Sequence, residues 1–165
     1  MIVDLEDAVG LADKLMARHG LAQALASIPE AQRGRLLVRI NAEATPWHFD
    51  DLIVAGQLVR QGLAGVMVPK AESAATLEHA ASILGSKACL VPLIESVAGL
   101  DAATSLARAP QVARLAFGHL DFQIDAGMDC TGDEPELQPV GGGVGVERER
   151  VVAARAGLRH LDDRA

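Results

Sequence analysis

Five short apolar runs, each followed by ionisable side chains, restrict the fold of this chain more than any other feature. The runs are Met1–Val3, Leu36–Val38, Gly65–Val68, Leu90–Ile94 and Leu115–Phe117. Such short, continuously apolar runs are typical of parallel strands that are buried on both faces. The polar residues that follow them include Asp4, Arg39, Lys70, Glu95 and Asp121. Successive steps between these residues are 35, 31, 25 and 26 positions, which indicates repeated βα units.

The segments between the runs are rich in Ala and Leu at three- and four-residue spacing, which predicts helices. These helices are expected over residues 10–26, 50–62, 73–85 and 99–108. Asp50, Ser73 and Asp101 lie near three of the predicted starts and are candidate N-caps. The alternation of strands and helices predicts an α/β fold around a parallel sheet, in which all strand C-terminal ends face one way. Active sites of barrels and open sheets lie on that face.

Charge and aromatic content exclude several classes of partner. The net charge is −7, and one Trp, three Phe and no Tyr leave few stacking platforms, so we expect no nucleic-acid partner. No charge-free apolar run of ~18 residues occurs, so we expect no membrane span. Cys89 and Cys130 are predicted to be reduced thiols, with Cys89 inside a strand. The acidic first residues do not resemble a signal peptide, and we expect a cytoplasmic protein.

The composition changes after Met128: residues 129–140 are expected to form an acidic, proline-containing loop, and residues 141–165 begin with a glycine-rich segment. Residues 1–140 are predicted to form the α/β domain, and residues 141–165 a divergent, weakly attached C-terminal tail. The glycines of 141–145 do not form a dinucleotide-binding fingerprint, because Val146 stands where the third glycine is needed.

Glu95 and Asp121 are the strongest candidates for a metal site. Two carboxylates at the ends of neighbouring strands, with water and substrate oxygens, suit Mg²⁺. The alternative is that each caps the helix that follows it. Asp121 lies in an apolar segment directly after Gly118, His119 and Leu120, which is an unusual setting for a solvated surface charge.

Arg39 is the candidate for binding a carboxylate, or charge that develops on an oxygen. The alternative is an ion pair with Asp4, Glu6 or Asp7 at the end of the first strand, and the two roles are compatible. Alternation along an extended chain places Asp4 and Glu6 on one side. For Asp7, helix capping competes with a role near the waters of a metal.

Three further residues have two interpretations each. Lys70 is a candidate active-site cation or an ion-pair partner of Glu72. His119 is a general base or a hydrogen-bonded structural histidine. Trp47 is interpreted as a packed loop anchor.

Taken in order, five motifs of this chain resemble the HpcH/HpaI aldolase and citrate lyase β-subunit family. They are Ile2–Val9, Val38–Asn41 with Thr45–Trp47, Met67–Ser73, Pro92–Ser96 and Leu115–Asp121. The resemblance covers about residues 1–140. It implies a TIM-type (β/α)8 barrel, of which about five of the eight βα units are present. We therefore expect a chain that is shortened at both ends relative to the family.

The resemblance also implies an Mg²⁺-dependent carbon–carbon lyase that cleaves a 3-hydroxyacyl-CoA, such as citryl-, malyl- or citramalyl-CoA, into an acyl-CoA and a 2-keto acid. It makes Glu95 and Asp121 the metal ligands. Arg39, Glu6 and Asp7 are then catalytic, and Arg39, Gly118 and Lys70 contact the substrate. Many family members have Thr-Glu-Asp where this chain has His119-Leu120-Asp121, so the acidic neighbour of the metal ligand is absent here.

Other functions remain open at the level of sequence. A non-catalytic remnant could act as an oligomerisation or interaction module through open sheet edges, and an aldolase could act on free 2-keto acids rather than on CoA esters. In each case we expect a homo-oligomer. A receiver-type signalling domain fits less well, because its key Lys should follow the last strand, whereas Lys70 follows the third of five.

Overall fold

The computed structural model describes residues 1–128, and the predicted tail at 141–165 lies outside the described residues. Five strands form one parallel sheet in chain order: β1 (Ile2–Asp4), β2 (Leu37–Arg39), β3 (Gly65–Val68), β4 (Cys89–Ile94) and β5 (Ala116–Phe117). The sheet curls into half of a barrel with helices on its outside. The α/β fold with five strands of a TIM-type barrel is therefore confirmed.

Seven α-helices lie within the described residues. They are α1 (Lys14–Ser27), α2 (Glu30–Arg33), α3 (His48–Arg60), α4 (Ala74–Leu84), α5 (Val97–Asp101), α6 (Ala103–Arg108) and α7 (His119–Asp125). A 3₁₀ turn, Leu11–Asp13, precedes α1. The sequence pattern did not predict α2 or α7, which are only 4 and 7 residues long, too short to show a helical period.

Two predicted N-caps are wrong and one is confirmed in position. Helix α3 begins at His48, so Asp50 lies within its first turn and pairs with Arg18 instead. The helix expected over 99–108 is broken at Ala102, and Asp101 ends α5. Ser73 does occupy the N-cap position of α4, although its side chain makes no capping hydrogen bond.

The two faces of the sheet bury different side chains, because side chains alternate along a strand. Val66 and Val68 of β3 point outward into the large core beneath the helices, which also contains Leu52, Leu77 and Leu90. On the concave face a small cluster of Met67, Val91, Leu93 and Ala116 fills the inside of the curl. This concave cluster forms the floor on which the polar strand ends converge.

A glycine sets the start of β3 beside β4. A Cβ at Gly65 would lie 1.9 Å from the carbonyl oxygen of Cys89, and φ at Gly65 is +156°. Only glycine allows this approach without displacing the neighbouring backbone. No helix within residues 1–128 is long and apolar enough to cross a membrane.

Candidate active site

A cavity of about 340 Å³ opens at the C-terminal ends of the strands. Its apolar floor is formed by Met67, Leu93 and Phe117. Four of the five strand ends supply its polar walls. The residues in these walls are Asp4, Asp7, Arg39, Glu95, Gly118, His119 and Asp121. Glu6 and Lys70 do not line it, although both contact residues that do.

Arg39 is held in place by the acidic end of β1. Its Nε donates to Asp4 Oδ1 at 2.9 Å, and its Nη2 donates to Asp4 Oδ2 in a two-point contact. Because β1 and β2 are paired with Asp4 directly beside Arg39, the register itself produces this contact. Burial acts to raise the pKa of Asp4, but hydrogen bonds from Arg39 and from the backbone N–H groups of Glu6 and Ala8 hold that pKa below its usual value. Arg39 is thus a permanently charged and oriented group.

Glu6 lies behind Arg39 rather than in the cavity. Its side chain is buried, and Oε2 lies 3.3 Å from Arg39 Nη1 without a hydrogen bond to it. Burial, together with the charge of Asp7, raises the pKa of Glu6 to about 8. Glu6 therefore holds a proton at neutral pH.

Asp7 does not cap a helix. Its side chain is 67% exposed, and Oδ2 lies 3.2 Å from Arg39 Nη1. The turn after β1 is capped by Asp4, whose oxygens accept from the backbone N–H groups of Glu6 and Ala8 at 2.8 and 3.1 Å.

Lys70 joins the two predicted metal ligands. Its backbone N–H donates to Glu95 Oε2 at 2.8 Å, and its Nζ donates to Asp121 Oδ2 at 2.7 Å. The hydrogen bond to Asp121 raises the pKa of Lys70, so this cation stays charged. The alternative pairing of Lys70 with Glu72 is not adopted, since Glu72 accepts from Ser96 Oγ.

Gly118 leaves the space that the Glu95 carboxylate occupies. A Cβ at Gly118 would lie 2.7 Å from Glu95 Cγ and 2.9 Å from Oε1. Glu95 is only 6% exposed, and burial raises its pKa; the charge of Asp121 adds to the rise, and the backbone N–H of Lys70 and the cations Lys70 and Arg39 offset it only in part. Helix α7 brings Asp121 to the same cavity, where Phe122 packs on Phe117 with ring centroids 4.8 Å apart.

This donor set fits a hard divalent cation. Glu95 and Asp121 offer carboxylate oxygens only, and a buried carboxylate with a raised pKa gains from a nearby positive charge. Within residues 1–128 no group of three or more His, Cys, Asp or Glu side chains is gathered as a metal cage. Mg²⁺ does not need one, because it usually keeps several waters and takes one or two protein carboxylates.

Sequence reasoning missed a buried polar network beneath the site. Arg18 of α1 donates to Asp51 Oδ1 at 2.7 Å, and Asp51 Oδ2 accepts from the backbone and side-chain nitrogens of Asn41. Lys14 donates to two backbone carbonyls of the turn after β1. The spacing of Lys14 and Arg18 on one helix face was the available signal, but charged residues on a helix usually face solvent.

Comparison with known proteins gives one family. The sequence model of the family HpcH/HpaI aldolase/citrate lyase matches residues 1–162 of this chain. A citrate lyase subunit beta-like protein of Deinococcus radiodurans is 34% identical over 133 residues, which is 77% of this chain and 45% of that protein. The L-malyl-CoA/beta-methylmalyl-CoA lyase of Rhodobacter capsulatus is 29% identical and covers 98% of this chain and 50% of the lyase. The chain thus spans about half the length of these relatives.

Solved structures give the same result. The citrate lyase beta subunit of Mycobacterium tuberculosis complexed with oxaloacetate and magnesium has a TM-score of 0.63 and 30% identity, over 78% of this chain and 52% of that one. The protein CitE of the same organism in complex with magnesium, acetoacetate and coenzyme A has a TM-score of 0.64 and 28% identity, over 85% and 47% of the two chains.

Proposed function

The chain belongs to the HpcH/HpaI aldolase/citrate lyase family, and from that premise we propose that it is a magnesium-dependent carbon–carbon lyase. The proposed substrate is a 3-hydroxyacyl-CoA of the citryl-, malyl- or citramalyl-CoA type, and the products are an acyl-CoA and a 2-keto acid. The observation that carries the proposal is the convergence of Glu95, Asp121 and Arg39 on one cavity. Relatives named as citrate lyase beta and malyl-CoA lyase support the class of reaction.

Glu95 and Asp121 are the residues that would hold Mg²⁺. When bound there, the ion would supply a Lewis acid for the oxygens of the 2-keto acid half of the substrate. Gly118 keeps the space beside Glu95 free of a side chain, and it lines the cavity where substrate would lie. Lys70 has a side chain that is 53% exposed beside Asp121, and we assign its ammonium to a substrate carboxylate.

Arg39 faces the cavity with its guanidinium fixed by Asp4. Such a preorganised cation stabilises negative charge that develops on the acyl fragment as the carbon–carbon bond breaks. Its orientation needs no rearrangement during the reaction, because the two-point contact with Asp4 already restrains the fork.

Glu6 and Asp7 are assigned catalytic roles beside Arg39. Glu6 holds its proton at neutral pH, so it leaves the charge of Arg39 uncancelled on that side. Asp7 lines the cavity and exposes its carboxylate, which makes it the member of the pair that reaches a bound substrate. The apolar floor of Met67, Leu93 and Phe117 limits water near the reacting carbon.

Magnesium calorimetry tests the metal site. We expect binding in the wild-type chain and its loss in Glu95→Ala and in Asp121→Ala. Two carboxylates away from the cavity serve as matched controls: Asp125, one turn further along α7, which accepts from the backbone of Val97, and Glu43, which accepts from Thr76. Asp125→Ala and Glu43→Ala should bind magnesium as the wild type does. Unchanged affinity in both Glu95→Ala and Asp121→Ala would remove the metal assignment.

A turnover assay tests the substrate class. Release of a 2-keto acid is followed with Mg²⁺ present, using citryl-, malyl- and citramalyl-CoA in one arm and the free hydroxy acids in the other. Turnover of CoA esters alone supports the proposal, whereas turnover of free acids alone would replace it with a free-acid aldolase. Absence of turnover in both arms, with intact magnesium binding, would favour the non-catalytic alternative.

A further inference from the structure

Lys14 is a buried cation that lies outside the cavity. It is 6% exposed, and it does not line the cavity. Burying an ammonium group is unfavourable unless its donor hydrogens find good acceptors. The acceptors of Lys14 therefore indicate what its position achieves.

Both hydrogen-bond acceptors of Lys14 belong to the turn that carries the acidic residues. Its Nζ donates to the carbonyl oxygens of Leu5 at 2.7 Å and Glu6 at 2.6 Å. The same Nζ lies 5.6 Å from the centroid of the Trp47 ring, which adds a cation–π contact. The ammonium thus holds two consecutive carbonyls of this turn against α1.

Arg18 fixes the helix face from which Lys14 extends. The two residues are one turn apart on α1, and Arg18 is 5% exposed. Arg18 bonds to Asp51, which in turn accepts two hydrogen bonds from Asn41 just after β2. Helix α1 is therefore fixed relative to the strand that carries Arg39.

The turn held by Lys14 places Glu6 behind Arg39. The charged or titratable groups that act on Glu6 come from several elements: Asp4 and Asp7 on its own turn, Arg39 of β2, Glu95 after β4 and Lys70 after β3. A small displacement of the Glu6 backbone would change its distance to all of them and would admit water to the carboxyl.

We propose that Lys14 is a positioning residue of the site: its ammonium clamps the Leu5 and Glu6 carbonyls so that the Glu6 side chain stays buried against Arg39. Lys14 acts through these two residues and touches no substrate. Its effect on turnover rests on the proposed function, because that effect requires Arg39 to act on the substrate. The effect of Lys14 on the position and titration of Glu6 does not depend on the proposed function.

The test compares Lys14→Met with Arg33→Met in the full-length chain without metal. Arg33 is a matched control, because it also donates to backbone carbonyls, those of Ala26, Ile28 and Gln61, but away from the cavity. Carbon-13 NMR of the side-chain carboxyls gives the titration midpoint of Glu6. We expect Lys14→Met to move this midpoint by at least about 0.5 pH unit toward the ordinary range, and Arg33→Met to leave it unchanged.

Far-ultraviolet circular dichroism reports whether the variants fold, because Trp47 lies beside Lys14 and its fluorescence responds to the substitution itself. If Lys14→Met does not fold, Lys14→Gln, whose amide keeps donor hydrogens without the charge, takes its place in the same comparison.

Turnover gives the second readout. We expect kcat to fall at least about 10-fold in Lys14→Met with a smaller change in KM, because a displaced or ionised Glu6 beside Arg39 weakens the stabilisation that Arg39 gives to charge formed only in the transition state. A folded variant with an unchanged Glu6 midpoint overturns the proposal. A wild-type chain without any turnover removes the proposed function instead, and the Glu6 titration still decides the role of Lys14.

Discussion

At the scale of single residues, the site depends on carboxylates whose environments differ. Asp4 is bound by Arg39 and two backbone N–H groups, so its pKa is lowered. Glu6 comes two positions later on the same turn, and burial raises its pKa to about 8. One of these carboxyls therefore carries charge at neutral pH and orients Arg39, whereas the other keeps its proton and avoids an unpaired buried charge.

This difference predicts how stability depends on pH. The unfolded chain releases the proton of Glu6 near its ordinary pKa of 4.5, whereas the folded chain keeps it to about 8. The folded state binds more protons in that window, so this residue's contribution to the free energy of unfolding falls as the pH rises from 4.5 to 8. Glu6→Gln lacks this titration. Its free energy of unfolding, relative to that of the wild type, should therefore rise by on the order of 1–3 kcal/mol from pH 5 to pH 8.5.

Urea unfolding of both proteins at the two pH values, without metal, measures this effect. An equal difference between wild type and Glu6→Gln at pH 5 and pH 8.5 would contradict the raised pKa.

Gly118 gives the second prediction at this scale. In Gly118→Ala the new Cβ must displace the Glu95 carboxylate, since it would lie 2.9 Å from Oε1. We expect magnesium affinity, measured by calorimetry, to fall at least about 10-fold, or about 1.4 kcal/mol.

Gly20→Ala is the control, because a Cβ there meets no atom within 4 Å. In the interior of α1 this change should stabilise the fold by about 0.5–1 kcal/mol and leave magnesium affinity unchanged. Equal affinity in Gly118→Ala and wild type would show that Glu95 does not need the space that the glycine leaves.

At the scale of elements, the strands set only the general direction of the side chains at their ends. Short helix caps and loops then fix where those side chains lie. Helix α5 begins after Ser96, whose Oγ accepts from the backbone N–H of Gly99 at 3.0 Å and donates to Glu72. Ser96 therefore joins the loop after β3 to the loop after β4, next to Glu95. The helix predicted from 99 to 108 missed this start, because the break at Ala102 leaves no mark in the hydrophobic period.

Ser96→Ala should lower the free energy of unfolding by about 1 kcal/mol, the usual effect of losing an N-cap. Thermal or urea unfolding measures the change. Ser105→Ala is the control, because the Ser105 hydroxyl bonds to the Ala102 carbonyl on the exposed surface and its loss should stay within about 0.5 kcal/mol. An equal loss of unfolding free energy in the two variants would show that the Ser96 cap of α5 makes no distinct contribution to stability.

At the scale of the whole molecule, the described sheet has two outer strands. β1 and β5 each pair with one neighbour within residues 1–128. Apolar side chains are also exposed on and after α7, with Leu120 at 55%, Ile124 at 80% and Met128 at 45% exposure. Unpaired strand edges and apolar patches favour association with another chain.

We therefore expect the chain to self-associate. Light scattering after size exclusion should give a mass that is a multiple of 17.2 kDa. Ile124→Lys should shift the distribution toward the monomer, because it places a charge within the apolar patch. A wild-type mass of one chain at high protein concentration would exclude this association.

The sequence alone predicts the five strands, their shared direction and the polar residues at their ends, whereas the pairing order β1-β2-β3-β4-β5 comes from the structure. The reason is local: apolar runs and helical periods are properties of neighbouring residues, and the spacing of the units predicts parallel pairing. The five motifs supplied the family and the roles proposed for Glu95, Asp121 and Arg39.

Which side chains meet depends on contacts between parts of the chain that a linear pattern does not relate. Lys70 bonds to Asp121 rather than to Glu72, Glu6 lies behind Arg39 rather than in the cavity, and Lys14 turns inward to hold the backbone beside Glu6. The first two contacts join residues on separate βα units, the third joins a helix to the turn before it, and loop geometry sets all three distances. A linear pattern fixes the direction in which a strand end faces, but burial and hydrogen bonding in three dimensions fix the charge and partner of each group there.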